Sequence, residues 1–252
     1  MRHLKIIGIG AGDPEYMTIQ AIKQLNDIDV FFLVDKGEDK SDLLHMRNEI
    51  CARYIEHDHY RTVEIPDSPR DLSGYAYGEA VRAWHRQRAR QWALVIEAEL
   101  ATRQVGAFLA WGDPALYDST LRILQEVQAQ GVFEFDLELI PGISAVQALA
   151  ARHQIPLTEI GNSVLVTSGR QLSKKWRDGA NNVVVMLDAH CSFLELDDGS
   201  ATIYWGAYLG TEDEILIAGT IAERGEEIKR VREETRARKG WIFDTYLLRA
   251  RS

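Results

Sequence analysis

Ile6-Ile7-Gly8-Ile9-Gly10-Ala11-Gly12-Asp13-Pro14 and Ala107-Phe108-Leu109-Ala110-Trp111-Gly112-Asp113-Pro114 decide the reading of this chain. Each is a short apolar run that opens into a Gly-Asp-Pro triplet, and each precedes a segment with helical periodicity. A strand that ends in a glycine-bearing loop before a helix is the repeating unit of a parallel α/β sheet. Such sheets hold ligands beyond the carboxyl ends of their strands. Ile140-Pro141-Gly142-Ile143-Ser144 is a third junction of this kind.

Around these junctions, strands are expected at 4–9, 30–34, 105–110 and 135–140, with a short one at 61–65. Helices are expected at 18–26, 41–54, 78–101 and 118–130, and from a Ser144 cap to about residue 152. Thr18 is a suitable N-cap because its hydroxyl can accept a free amide hydrogen of the first turn. Beyond Pro156 the pattern changes to strands at 163–167, 182–187, 202–208, 215–219 and 241–246, with a charged helix at 221–236. The domain boundary is therefore expected near 157–162, giving an N-terminal α/β domain over 1–158 and a C-terminal α/β domain over 159–252.

Composition narrows the function classes. The 252 residues carry a formal net charge of −9, which argues against a dedicated nucleic-acid binder. The two cysteines, Cys51 and Cys191, are too few for a disulfide framework and fit a reducing cytoplasm. The start runs into a strand without a signal-like apolar stretch, and no run approaches the roughly 18 residues of a membrane span. A soluble cytoplasmic enzyme is expected, with no membrane partner. No metal is expected: His57-Asp58-His59 has no third ligand at recognisable spacing, and His190-Cys191 is no better.

The first loop resembles a dinucleotide fingerprint only superficially. Asp13 stands where the third glycine belongs, and its carboxylate would repel a pyrophosphate at the helix start. No Gly-Lys-Ser/Thr follows, so a Walker loop fails as well. Two aspartate-bearing loops suit a cationic or zwitterionic ligand better, and S-adenosylmethionine is one. The plainer alternative is that Asp13 and Asp113 form Asx-turns and the glycines serve tight backbone geometry.

Taken together, the motifs resemble those of the tetrapyrrole (corrin/porphyrin) methylases. Ile9-Gly10-Ala11-Gly12-Asp13 is similar to that family's first loop, with Ala11 in place of its usual proline. Met17-Thr18-Ile19-Gln20-Ala21 is similar to its first helix start, and Gly112-Asp113-Pro114-Ala115-Leu116-Tyr117 to its second loop. Ile140-Pro141-Gly142-Ile143-Ser144-Ala145, Met186, Gly206-Ala207-Tyr208 and Gly219-Thr220 continue the pattern in order. Two stretches, 33–47 and 60–71, together with Trp84-His85, resemble the members of the cobalamin pathway that methylate C1 of precorrin-5 and release acetate.

The resemblance implies two α/β domains, the first with a mostly parallel sheet and the second with a mixed sheet. It further implies a cofactor cleft between the domains, a homodimer, and S-adenosylmethionine converted to S-adenosylhomocysteine. By motif position, cofactor contact falls on Ala11, Trp111, Gly112, Asp113, Leu116, Ser144, Ala145, Met186, Ala207 and Thr220. Asp113 and Tyr117 are the catalytic candidates, Asp113 to organise the loop and a water, Tyr117 to orient the acceptor. Met186 could instead be core, and Tyr117 could cap a hydrophobic cluster. The tetrapyrrole substrate carries many carboxylates, so Arg47, Arg53, Arg61, Arg70 and Arg170 are candidates to bind it. Arg82, Arg86 and Arg90 read better as a solvated stripe. The competing readings are a methylase of this family acting at another ring position, and a nucleotide-binding α/β protein or oxidoreductase.

Overall fold

The computed structural model describes residues 1–35, 41–66 and 77–250. Arg70 and parts of the two subgroup stretches, 36–40 and 67–71, lie outside the described residues. The chain divides into two compact units, Met1–Gly10 with Pro14–Ile143, and Ala11–Asp13 with Ser144–Ser252.

The first unit is built on β1 (Arg2–Gly8), β2 (Val30–Asp35), β3 (Arg61–Pro66), β4 (Val105–Ala110) and β5 (Phe135–Ile140). All neighbours are parallel, in the order β3-β2-β4-β1-β5. Both faces are covered, which explains why β4 reads as an unbroken apolar run rather than an alternating one. Helices α1 (Ile19–Leu25) and α2 (Ser41–Tyr54) cover one face, packing Ala21, Leu25 and Ile50 against Ile7, Phe31 and Leu109. Helices α3 (Tyr77–Glu99) and α4 (Thr120–Gln130) cover the other, where Trp92 stacks on Phe108 at 4.6 Å and Phe108 on Phe32 at 5.3 Å. Connections stepping outward from β1 to β3 use the first face and those returning to β5 begin on the second, as crossovers of one hand require. Thr18 caps α1, its hydroxyl accepting the Ala21 amide hydrogen at 3.0 Å.

The second unit contains α5 (Ala145–His153), β6 (Leu165–Ser168), α6 (Gly169–Arg177), β7 (Asn182–Met186), β8 (Thr202–Ala207), β9 (Ile215–Thr220), α7 (Ile221–Lys239) and β10 (Asp244–Arg249). Its sheet is mixed: in the order β6-β7-β10-β8-β9, only β6 and β7 are parallel. The last strand starts three residues later than its sequence pattern implies, and α6 has no counterpart among the expected helices. Capping boxes start α5, at Ser144 with Gln147, and α7, at Thr220 with Glu223.

The division falls at Ile143/Ser144, earlier than the boundary expected near 157–162. Helix α5 explains the difference. A Cβ on Gly206 of β8 would fall 2.9 Å from Leu149, and His153 Nε2 lies 3.0 Å from the Trp205 carbonyl, so α5 packs on the second unit's own sheet.

Candidate functional site

In the first unit, β1 and β4 lie side by side but send their following helices, α1 and α4, to opposite faces. That switch opens a crevice at the carboxyl ends of the two strands, and both Gly-Asp-Pro loops begin there. The loops are joined at their base. The Gly112 amide donates to the Gly10 carbonyl at 2.8 Å, and the Gly10 amide to the Gly112 carbonyl at 3.3 Å. Both residues have positive φ, +82° and +71°, where a side chain is strained.

Beneath this bridge three strand ends meet backbone to backbone. A Cβ on Gly8 would fall 2.6 Å from the Gly142 nitrogen and 2.8 Å from the Gly112 carbonyl oxygen. A Cβ on Gly142 would fall closer still to that oxygen. Asp113 fastens the arrangement. Its Oδ1 accepts the Ala115 amide hydrogen at 2.8 Å, an Asx-turn, and its Oδ2 accepts that of Gly142 at 3.0 Å. A carboxylate has further lone-pair sites, so both oxygens keep acceptor capacity.

The rest of the second loop is presented around this clip. Trp111 packs partly buried against the α1–α2 face, and Leu116 is half-buried. Tyr117 is exposed and has φ +56°, an uncommon conformation for an aromatic residue. Partial burial pushes its phenol pKa up, so it is a hydrogen-bond donor at neutral pH rather than a base. Asp118 Oδ1 accepts the Thr120 amide hydrogen at 2.7 Å at the start of α4.

Gly12 and Ala11 belong with the second unit. A Cβ on Gly12 would press into the Leu209 carbonyl oxygen and fall 2.8 Å from Thr211 Cγ2, while Ala11 is buried. Leu209 follows Tyr208, whose φ is +50° and whose hydroxyl donates to the Trp241 carbonyl. In the sheet, Ser168 pairs with Met186, and Thr245 lies between Met186 and Gly206. Met186 and Ala207 therefore reach one edge together, joined there by the start of β10. Met186 is half-buried, Ala207 is fully buried, and Leu187 beyond Met186 is exposed with φ +55°. Ser144 is buried with its hydroxyl accepting the Val146 amide hydrogen at 3.2 Å, and Ala145 is half-buried.

Thr220 lies apart from the other second-unit candidates. β9 runs antiparallel to β8, pairing Ala207 with Ile215 and Thr202 with Thr220, so Thr220 sits at the opposite edge from Met186 and Ala207. Its side chain caps α7. Thr245, which the order of motifs does not single out, holds the position between the two cofactor candidates.

The turn after Met186 stands on a buried ionic network. Asp188 accepts from the Ser192 amide at 2.7 Å, the Ser192 hydroxyl at 2.9 Å and the Tyr246 hydroxyl at 2.6 Å. Arg232 donates to the Asp188 carbonyl at 2.8 Å and pairs with Asp244 at 2.9 Å, both side chains under 10% exposed. Trp205 Nε1 donates to the same Asp244 oxygen at 3.0 Å. Burial pushes the Asp244 carboxyl above its ordinary range against the pull of Arg232 and these hydrogen bonds.

The arginine candidates separate. Arg61 begins β3, at the amino edge of the parallel sheet, and pairs with Glu99 at 2.6 Å. Arg53 is exposed and pairs with Glu15 at 2.8 Å. Arg170 is exposed in the first turn of α6. Arg47, on α2, reaches the end of β4, donating to the Leu109 carbonyl at 3.3 Å. Arg86 and Arg90 are exposed, as a solvated stripe would be; the side chain of Arg82 lies outside the described residues. Between them, Arg88 is buried, with its guanidinium 4.5 Å from the Trp84 ring centroid and 5.3 Å from that of Trp92. Trp84 and Trp92 lie four residues to either side of it, a spacing that could have marked Arg88. Among the described residues no group of three His, Cys, Asp or Glu side chains could hold a metal.

These contacts set the expected stability of three variants. Gly142→Ala forces a Cβ into the Gly112 backbone and is expected to cost about 3 kcal/mol. Gly131→Ala, at φ +65° with open space around it, is expected to cost about 1 kcal/mol. Urea unfolding midpoints measure both, and equal losses would contradict the packing argument. Arg232→Met leaves Asp244 buried without its cation and is expected to cost about 3–5 kcal/mol at neutral pH. Because the folded-state pKa of Asp244 is then raised further, stability falls as pH rises through it, so the deficit is expected to shrink in acid. A pH-independent deficit would contradict this.

A sequence profile described as Tetrapyrrole (Corrin/Porphyrin) Methylases matches residues 3–224. The chain is 47% identical over 249 residues to the Precorrin-6A synthase [deacetylating] of Sinorhizobium sp, covering 99% of this chain and 95% of that protein. Its fold is similar to the crystal structure of a cobalamin synthesis related protein (CobF) from Corynebacterium diphtheriae, with a TM-score of 0.85, 37% identity, and coverage of 99% and 98%. It also shares a fold with the uroporphyrin-III C-methyl transferase of Thermus thermophilus crystallised with S-adenosyl homocysteine. That match has a TM-score of 0.61, 14% identity, and coverage of 98% and 91%. The chain belongs to the tetrapyrrole (corrin/porphyrin) methylase family.

Proposed function

We propose that this protein is an S-adenosylmethionine-dependent C-methyltransferase of cobalamin biosynthesis that methylates C1 of precorrin-5 and releases acetate, giving precorrin-6A. The observation that carries this is the near full-length identity to a deacetylating precorrin-6A synthase. When bound, the cofactor supplies a methyl group already activated on a sulfonium. The residues present suit it. Gly8, Gly112 and Gly142 leave no side chain over the ends of β1, β4 and β5, and carboxylates rather than a phosphate-binding third glycine follow both loops.

Methyl transfer to carbon needs positioning and exclusion of water more than acid–base chemistry. Methyl-donor contacts are assigned to Trp111, Gly112, Asp113 and Leu116 of the first unit. In the second they are assigned to Ala11, Ser144, Ala145, Met186 and Ala207, with Thr245 replacing Thr220. Asp113 holds the second loop through two amide hydrogen bonds and retains lone pairs to orient a water. Tyr117, protonated at neutral pH, donates a hydrogen bond to the acceptor. For deacetylation, water adds to the acetyl carbonyl, the carbon–carbon bond breaks with its electron pair passing to the electron-poor macrocycle, and acetate leaves as the protons of the water pass to solvent; a donor near the carbonyl oxygen stabilises its developing charge. A homodimer in a reducing cytoplasm completes the proposal. Burial pushes both cysteine thiols up to about 11, which keeps them unreactive.

Calorimetry is expected to detect S-adenosylhomocysteine binding and no NADH binding; the reverse would overturn the proposed class. Incubation with precorrin-5 and labelled methyl donor is expected to place label on the ring and to release an equal amount of unlabelled acetate. Ring label without acetate would assign the chain to another ring position.

A further inference from the structure

The carboxyl edge of the first unit carries a cation that no described carboxylate neutralises at close range. Arg47 is half-buried on α2, beside the last turns of β4. Its hydrogen bonding among the described residues amounts to one long contact, to the Leu109 carbonyl at 3.3 Å. Its Nε is buried and no described residue accepts from it. No described carboxylate lies within ion-pair distance; the main anionic influence is Asp118 of the second loop, whose Oδ1 is already engaged by the Thr120 amide. Burial consequently pulls the guanidinium pKa down even with Asp118 acting against it.

A guanidinium has five N–H donors in a rigid fork, and taking it out of water without a paired anion is costly. Arg53 and Arg61 are exposed to solvent and also have carboxylate partners, Glu15 and Glu99. Arg47 is half-buried without such a partner among the described residues, and it reaches the Leu109 carbonyl at the end of the strand that leads into the loop assigned to methyl transfer. A group that matches the fork, brings negative charge and arrives from outside is a carboxylate.

We propose that Arg47 receives a carboxylate of the tetrapyrrole substrate at the end of β4, setting how the macrocycle lies against the second Gly-Asp-Pro loop. This rests on the methyltransferase reading. Asp118 serves the substrate-free protein, offsetting part of the Arg47 charge from a distance without occupying the fork.

The test compares wild type, Arg47→Met and Arg47→Lys by the KM for precorrin-5 and by calorimetric affinity for S-adenosylhomocysteine. Arg47→Met is expected to raise KM at least tenfold while leaving S-adenosylhomocysteine affinity within about threefold. Arg47→Lys, which keeps the charge but loses the fork, is expected to fall between and covers the case in which the methionine variant fails to fold. Unchanged KM in either folded variant would overturn the proposal. So would a parallel loss of S-adenosylhomocysteine affinity, which would mean that Arg47 only props the loop. Wild-type protein that binds S-adenosylhomocysteine but does not methylate precorrin-5 would instead overturn the assigned reaction, and the substrate contact with it.

Discussion

Backbone contact among Gly8, Gly112 and Gly142 is the constraint on which the first unit's ligand edge depends. Gly8 ends β1, and Gly112 and Gly142 lie just beyond the ends of β4 and β5, its parallel neighbours on either side. Without a side chain at these positions the loops approach closely enough for Gly10 and Gly112 to exchange hydrogen bonds. That closeness also brings the Gly142 amide within reach of Asp113. A charge-assisted hydrogen bond then ties β4's loop to β5's, and the residues after the clip, including Tyr117 at φ +56°, are held in a conformation they would not choose alone.

The second unit reaches a comparable rigidity by different means. Its edge carries Met186 and Ala207 on strands that flank β10, and a polar network rather than a glycine contact lies beneath. Asp188, Arg232, Tyr246 and the side chain of Asp244 are buried, and each has hydrogen-bond partners inside the protein. Such a network is costly unless its members are matched, and it is then specific, because few arrangements satisfy all of them. It fixes the turn in which Leu187 stands exposed at φ +55°. Both units thus place strained, solvent-facing residues on stiff supports, as sites that must hold reacting groups in register require.

Much of this is legible in the sequence because the signals are local. Apolar runs ending at Ile9 and Ala110, each opening into a Gly-Asp-Pro loop, announce a parallel sheet, and Thr18 and Ser144 announce helix starts. The features that escape such a reading depend on chain direction and on partners far apart in sequence. Gly219-Thr220 comes in the right order for a cofactor contact, yet β9 turns back and carries Thr220 to the far edge. Arg61 has suitable chemistry but begins its strand instead of ending it. Helix α6 is short and polar on average and has no side-chain cap at Ser168, so no start signal announces it. The composition shifts at Pro156 and suggests a domain boundary there, whereas α5 packs with the strands that come after it in the chain.

The same physics separates two meanings of a motif residue. Asp113 is first a structural clip, and any part in orienting water is played by lone pairs left over from that duty. The direct test is amide hydrogen exchange at Gly142, compared between wild type and Asp113→Ala. If the clip organises the ligand edge, the Gly142 amide in the wild type is protected to a degree approaching that of the β4 amides. In the variant it exchanges readily while Phe108 in β4 stays protected. Free exchange of Gly142 in the wild type, or full protection surviving in the variant, would contradict the account.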